Sequence, residues 1–209
     1  MTRVDSKVLG MVGTNCYLLI NEDIKECVLV DPGDCPDDID KMIHKWDCTL
    51  VGVLLTHGHF DHIMAAEAVR DKYGVKIYAS CDEKETLGNP DYNLGSSYSL
   101  NSLSLEADVY NNDGDIIKLA GFDIQALHTP GHTAGGTCYY VKEEGILFSG
   151  DTLFCESVGR TDFPGGSMGK LIQSIKSKIM VLPEDTKIYP GHGEGTNVGY
   201  EKKYNPFLG

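Results

Sequence analysis

The chain has 209 residues, 41% hydrophobic and 23% charged, a balance that excludes a disordered or fibrous protein and predicts one globular domain over residues 1–209. A formal charge of −13 excludes general nucleic-acid binding, because a phosphate backbone needs a cationic partner surface. Seven cysteines without a Cys-x-x-Cys pair predict reduced thiols; with no signal-like run at Met1–Asp5 and no bilayer-length apolar stretch, they point to a cytoplasmic protein without a membrane partner.

In chain order, the apolar run 15–20 predicts a strand, and 27–30 predicts another that ends on the turn Asp31-Pro32-Gly33. Ile39, Met42, Ile43 and Trp46 recur at helical spacing and predict a helix over 37–46. The run 50–55 reads as a buried strand leading into Thr56-His57-Gly58-His59, followed by a helix over 63–73 and a strand over 76–79. Segment 83–108 mixes Ser and Asn with apolar residues and suits a helical insert or a lid. Beyond it, strands are expected at 116–119 and 122–127, leading to His128-Thr129-Pro130-Gly131-His132. A hairpin at 137–141 and 145–149 ends at Gly150-Asp151. A helix over 170–179 presents Leu171, Ile172, Ile175 and Ile179 on one face, and a strand at 187–189 runs into Pro190-Gly191-His192. Strand, Asp, helix, strand, Gly-His thus occurs twice, which suggests two related halves of one αβ domain.

His57, His59, Asp61 and His62 crowd into six positions where a strand stops and a helix starts, the place where open α/β folds put ligands. Alternation in an extended turn points His57, His59 and Asp61 the same way, with His62 close by. Imidazoles suit zinc or iron, and a carboxylate favours a hard cation. His132, Asp151 and His192 each follow a β-type run in a Gly-flanked turn. Seven such side chains are too many for one tetrahedral ion and right for two ions sharing a carboxylate.

The segments Thr-His-Gly-His-Phe-Asp-His (56–62), Thr-Pro-Gly-His-Thr (129–133), Gly-Asp-Thr-Leu-Phe (150–154) and Tyr-Pro-Gly-His (189–192) resemble the metal-binding motifs of the metallo-β-lactamase superfamily, in family order. The fuller wording is similar to glyoxalase II, the hydroxyacylglutathione hydrolases, and their short bacterial relatives. That resemblance implies an α/β fold, the αββα sandwich of two mixed β-sheets with flanking helices. It implies that His57, His59 and His132 bind one metal, that Asp61, His62 and His192 bind a second, and that Asp151 bridges them. The cofactors implied are two divalent ions, zinc first, with iron or manganese as alternatives. Such a pair lowers the pKa of a shared water and supplies hydroxide near neutral pH. The implied reaction is attack of that hydroxide on a small-molecule thioester of the hydroxyacylglutathione type. One ion would polarise the carbonyl, and Asp61 would orient the nucleophile as a catalytic residue. A thiolate leaves without a strong general acid.

The chain departs from full-length glyoxalase II in having only 17 residues after His192, too few for the helical C-terminal domain that helps hold glutathione. Arg160 falls where the family has a basic residue that meets a glutathione carboxylate, and it is the expected substrate-binding residue. A neighbouring family tyrosine is replaced by Asp162. The stretch 159–163 also resembles persulfide dioxygenases, in which His57, His132 and Asp151 would hold a single iron; His192 after Pro190-Gly191 favours two metals. A nuclease should show a basic face, and an exported lactamase a signal. His128 is expected to hydrogen-bond within its turn, His44 to be solvated, Asp31 to cap a helix or orient a ligand loop, and Cys155 to lie in the core.

Overall fold

The computed structural model describes residues 1–209. Its layers follow from the two-residue alternation of strands buried on both faces. Along strand β2 (Thr14–Asn21), after β1 (Thr2–Leu9), Cys16, Leu18 and Ile20 join one apolar cluster while Tyr17 and Leu19 join another. The next strand, β3 (Glu26–Val30), sorts Cys27 and Leu29 from Val28 and Val30 in the same way. With β4 (Thr49–Leu54), β5 (Ile77–Ser80) and β6 (Val109–Asn111), these strands form a six-stranded sheet in sequential order. Its first two pairings are antiparallel and the last three parallel.

The second sheet contains β7 (Ile116–Leu119), β8 (Phe122–His128), β9 (Thr137–Val141) and β10 (Ile146–Gly150). A small ribbon of β11 (Leu153–Phe154) and β12 (Ser157–Val158) follows. Then β13 (Lys187–Pro190) and β14 (Thr196–Asn197) complete the order β14-β13-β10-β9-β8-β7. Only β10 and β13 are parallel neighbours, so this sheet too is mixed. Tyr139, Val141, Ile146 and Phe148 face the first sheet, whereas Cys138, Tyr140 and Leu147 face outward.

Helices cover both outer faces. Ile39, Met42 and Ile43 of α1 (Pro36–Lys45) pack on the first sheet, while α2 is the single turn Phe60–Ile63. Ala66 and Val69 of α3 (Ala66–Tyr73) pack on that same face, and α4 (Lys84–Gly88) adds Leu87. On the second sheet, Leu171 of α5 (Met168–Ser174) packs with Ile175 and Ile179 of the π-type turn that extends it, and with Val198 of α6 (Val198–Tyr204). The order is helix, sheet, sheet, helix. No helix is long and apolar enough to cross a membrane.

Several elements differ from the sequence reading. The helix expected over 63–73 is broken between α2 and α3, because the Ala65 N–H donates to the Pro32 carbonyl at 3.0 Å. That bond draws the turn carrying Asp61 and His62 onto the end of β3. β1 has no counterpart among the expected strands, since an edge strand with Arg3, Asp5 and Lys7 along it carries no apolar run. β14 and α6, after His192, likewise add to the expected elements. Segment 83–108 is mostly irregular, with α4 and a short turn at Gly95–Tyr98.

Tyr139 spans the layer between the sheets, fully buried, and its hydroxyl donates to the Leu55 carbonyl at 3.0 Å. Tyr139→Phe removes the donor from a dry site, and unfolding free energy should fall by about 1–2 kcal/mol. Urea titration should show a lower midpoint at an unchanged slope.

Candidate metal centre

The ligand-type residues lie where strands end. β3 and β4 are parallel neighbours, so the loops after them, 31–33 and 55–62, leave the sheet side by side. β10 and β13 do the same in the other sheet and deliver Asp151 and His192. His132 follows β8 by four residues. Both sheets therefore open their carboxyl ends onto one cleft, as the strand-end rule for ligand sites requires.

Three imidazoles converge there. His57 Nε2 lies 3.1 Å from His59 Nδ1, and His132 Nε2 lies 3.0 Å from the same atom. Three nitrogens each ~2.0–2.1 Å from a tetrahedral ion would stand about 3.3 Å apart, so the spacing fits one cation. The second group is Asp61, His62 and His192: Asp61 Oδ2 is 3.4 Å from His62 Nε2 and 3.3 Å from His192 Nε2. Asp151 stands between the groups, with Oδ1 3.5 Å from His62 and Oδ2 3.6 Å from both His132 and His192. Buried polar atoms normally find partners, yet His59 Nε2, His62 Nε2 and Asp151 Oδ1 have none within the protein. For His62 and Asp151, a cation beside those atoms would supply one. The donor set suits divalent metal at both places. Gly191 makes the approach possible, since a Cβ there would come within 2.1 Å of Asp151 Oδ1.

The far sides of the rings are anchored. His62 Nδ1–H donates to Asp31 Oδ2 at 2.9 Å, and His132 Nδ1–H to the Arg160 carbonyl at 2.7 Å. These bonds assign the tautomers and leave both Nε2 atoms free for a metal. Asp31 also accepts from the Thr56 N–H and hydroxyl, at 2.8 and 2.6 Å, and holds a left-handed backbone at φ 52°. It orients the ligand loop; the residue at the start of α1 is Cys35. The His192 loop is held from the other end of the chain. Asn15 N–H donates to the Gly191 carbonyl at 2.7 Å, and the Asn15 amide and Tyr17 hydroxyl donate to the Pro190 carbonyl at 3.0 and 2.6 Å.

Burial pushes the His57 imidazole well below its usual range, and burial with the neighbouring His132 takes His59 down to about 3, so both are neutral nitrogen donors. Burial alone would raise Asp61 and Asp151. His62 with His192 and the Thr14 hydroxyl more than offset it at Asp61 and hold that group low, while His62 with His132 and His192 hold Asp151 at about 2. Both are therefore ionised acceptors. Around His62, burial is outweighed by Asp61, Asp31 and Asp151, which favour positive charge at that point.

A cavity of about 540 Å³ opens beside these groups. Val12, Phe60, Leu94, Tyr98, Phe154 and Phe163 supply apolar surface, and Arg160 sits at the rim. Its guanidinium is already engaged, donating to both Asp162 oxygens at 3.0 and 2.7 Å and lying 4.3 Å over the Phe163 ring. Leu94 and Tyr98 belong to segment 83–108, which thus forms part of the wall.

Other expectations are corrected. His128 turns toward Asp82, with Nδ1 3.9 Å from Oδ2, instead of bonding within its own turn. Cys155 is half-buried near the Glu201 carboxylate and lies outside the apolar clusters. His44 is exposed, as anticipated, and donates to the Asp40 carbonyl. Sequence reasoning missed Thr14, whose hydroxyl donates to Asp61 Oδ2 at 2.6 Å, and Glu83, whose carboxylate accepts from Gly58 and Gly135. Neither carries a local signal: each acts on a loop remote in sequence.

Comparison with known proteins agrees with this geometry. The family model described as metallo-beta-lactamase superfamily matches residues 9–192. The chain is 38% identical over 196 residues to hydroxyacylglutathione hydrolase GloC of Haemophilus influenzae, covering 93% of this chain and 92% of that one. A crystal structure of BLEG-1 B3 metallo-beta-lactamase superposes with a TM-score of 0.93 at 38% identity, covering 99% of both chains. TTHA1623 in a di-iron-bound form gives 0.86 at 33% identity, covering 98% of this chain and 100% of that one.

Asp31→Asn should loosen His62 while leaving the fold intact. Metal affinity is expected to fall about 10- to 100-fold, read by competition with a chromophoric chelator, with circular dichroism unchanged.

Proposed function

The chain belongs to the metallo-β-lactamase superfamily, and on that premise we propose that it is a two-metal hydrolase that cleaves thioesters of the hydroxyacylglutathione type. The observation that carries this reading is the convergence of two ligand triads, sharing Asp151, on one cavity. The likeness to GloC supports the substrate class.

His57, His59 and His132 would hold one ion, Asp61, His62 and His192 the other, and Asp151 would touch both. Divalent metals bound there supply hydroxide near neutral pH and positive charge for the oxyanion that develops at the carbonyl. Asp61 remains an ionised acceptor, with Thr14 fixing one of its oxygens. It can hold a hydrogen bond from the attacking water and set its direction, a positioning task that needs no proton stored on the carboxylate. The apolar walls exclude bulk water and receive the acyl chain. Arg160, fixed by Asp162, turns its remaining N–H groups to a carboxylate on the thiol half of the substrate. Zinc is the ion we favour, and the di-iron form of a similar protein makes iron the one to compare.

A one-iron dioxygenase would use His57, His132 and Asp151 alone. The presence of Asp61, His62 and His192 around the same cleft supports two metals. Elemental analysis should find two ions per chain; about one iron, with oxygen uptake on a persulfide, would replace this reading. S-lactoylglutathione, other acyl thioesters and a β-lactam should be assayed with zinc, iron or manganese. Thioester turnover that chelation abolishes and metal restores is expected, and its absence with every metal would sink the proposal.

Two substitutions probe the roles. Asp151→Asn removes a negative charge between two cations, and the protein should lose metal and at least about 100-fold in turnover while staying folded. His44→Ala, remote and exposed, should change neither. Arg160→Ala should raise KM for a glutathione thioester about tenfold with kcat within about twofold, the pattern of lost uniform binding.

A further inference from the structure

Glu83 ends the 3₁₀ turn Cys81–Glu83 after β5 and is only 1% exposed. An ionised carboxylate in such a place is costly unless its oxygens are fully engaged. Its partners are neutral donors from two separate loops. Gly58 N–H donates to Oε1 at 2.9 Å; the Thr133 hydroxyl and Gly135 N–H donate to Oε2 at 3.0 and 2.7 Å. Gly58 lies between His57 and His59, and Thr133 and Gly135 lie one and three residues past His132. The contact is close: a Cβ on Gly135 would lie 2.5 Å from Glu83 N and 2.7 Å from Oε2, and one on Gly58 would lie 3.0 Å from Leu87 N. The turn at 81–87 is therefore wedged against both loops.

We propose that Glu83 is a positioning residue that fixes His57, His59 and His132 as one metal-binding unit, independently of the unit formed by Asp61, His62 and His192. The proposal rests on the metal-binding reading above. The second unit is held by other groups: Thr14 on Asp61, Asp31 on His62 and the Gly13 carbonyl on His192. Glu83 bonds to none of Asp61, His62 and His192 or the groups that hold them; on the 55–62 loop its one partner is the Gly58 N–H, between His57 and His59. One buried carboxylate thus joins residues 57–59 of the first sheet's loop to the 132–135 loop of the second, and each of its direct partners flanks a ligand-type residue of one triad.

The two units can be separated by experiment. Glu83→Gln keeps the shape but turns an N–H₂ toward groups that are themselves donors. Zinc bound per chain should fall from two toward one after dialysis. Chelator competition should show one ion weakened by about tenfold or more and the other within about twofold. A second arm places Glu83→Gln in a His132→Ala background, where the unit is already broken. There it should change the affinity of the remaining ion by less than about twofold, the non-additivity expected of residues acting through one element. Ile179→Val, in the core on the far face of the second sheet, is the control: it should lower the denaturation midpoint without moving either affinity. Should Glu83→Gln fail to fold, Thr133→Val deletes a single donor and should weaken the same ion a few-fold. Equal weakening of both ions, unchanged affinities, or a further loss in the His132→Ala background overturns the proposal. A wild-type stoichiometry of one would instead overturn the two-metal reading and leave the Glu83 comparison, run on that ion, to stand or fall separately.

Discussion

Four of the five imidazoles in the cleft are tied down by the nitrogen that faces away from it. His62 is held by Asp31, His132 by the Arg160 carbonyl, His57 by the Thr56 hydroxyl at 3.2 Å and His192 by the Gly13 carbonyl at 3.3 Å. Unanchored rings would rotate, and desolvated polar groups do not converge unless partners on their far sides hold them. The rest of the architecture answers to this constraint. Asp31 needs its left-handed backbone to reach both Thr56 and His62, and β3 must run parallel to β4 for those residues to meet. Gly191 must lack a side chain so that Asp151 can approach. The helix begun at Phe60 breaks after one turn so that Ala65 can bond to Pro32, which brings Asp61 and His62 over the end of β3.

Electrostatics and packing divide the labour. The between-sheet layer, with Tyr17, Leu19, Phe148 and Tyr139, holds the two sheets at a fixed separation. The loops at one end of that sandwich carry the polar chemistry. Strongly shifted titration in the cleft arises because the apolar layer below excludes water while carboxylates and imidazoles crowd above it. Such an arrangement is poor at stabilising an empty protein and well suited to receiving cations.

Much of this was legible in the sequence, for identifiable reasons. Strands buried on both faces announce themselves as apolar runs, so β2, β3, β4, β9 and β10 were readable. Ligand-type side chains crowded beside glycines at strand ends were readable too, and all seven converge on the cleft. Elements that rely on distant partners were not. β1 is an alternating edge strand, and Thr14 and Glu83 look ordinary until the fold sets them against Asp61 and Gly58. Asp31 was visible as a turn residue, but its bond to His62 was not. A turn flanking His128 suggests a local hydrogen bond for its ring, whereas the end of β8 turns that ring toward Asp82, on a segment remote in sequence.

The bonds from Asn15 and Tyr17 to Pro190 join residues 175 and 173 positions apart. A chain emerging from synthesis therefore has its first hairpin long before the strand that hairpin must grip. Contacts so distant along the chain close late, and topologies rich in them fold slowly. The cleft cannot be completed until β13 docks beside β10 and its end is clasped by β2. A divalent ion captured by the earlier loops would stabilise a half-built molecule by mass action.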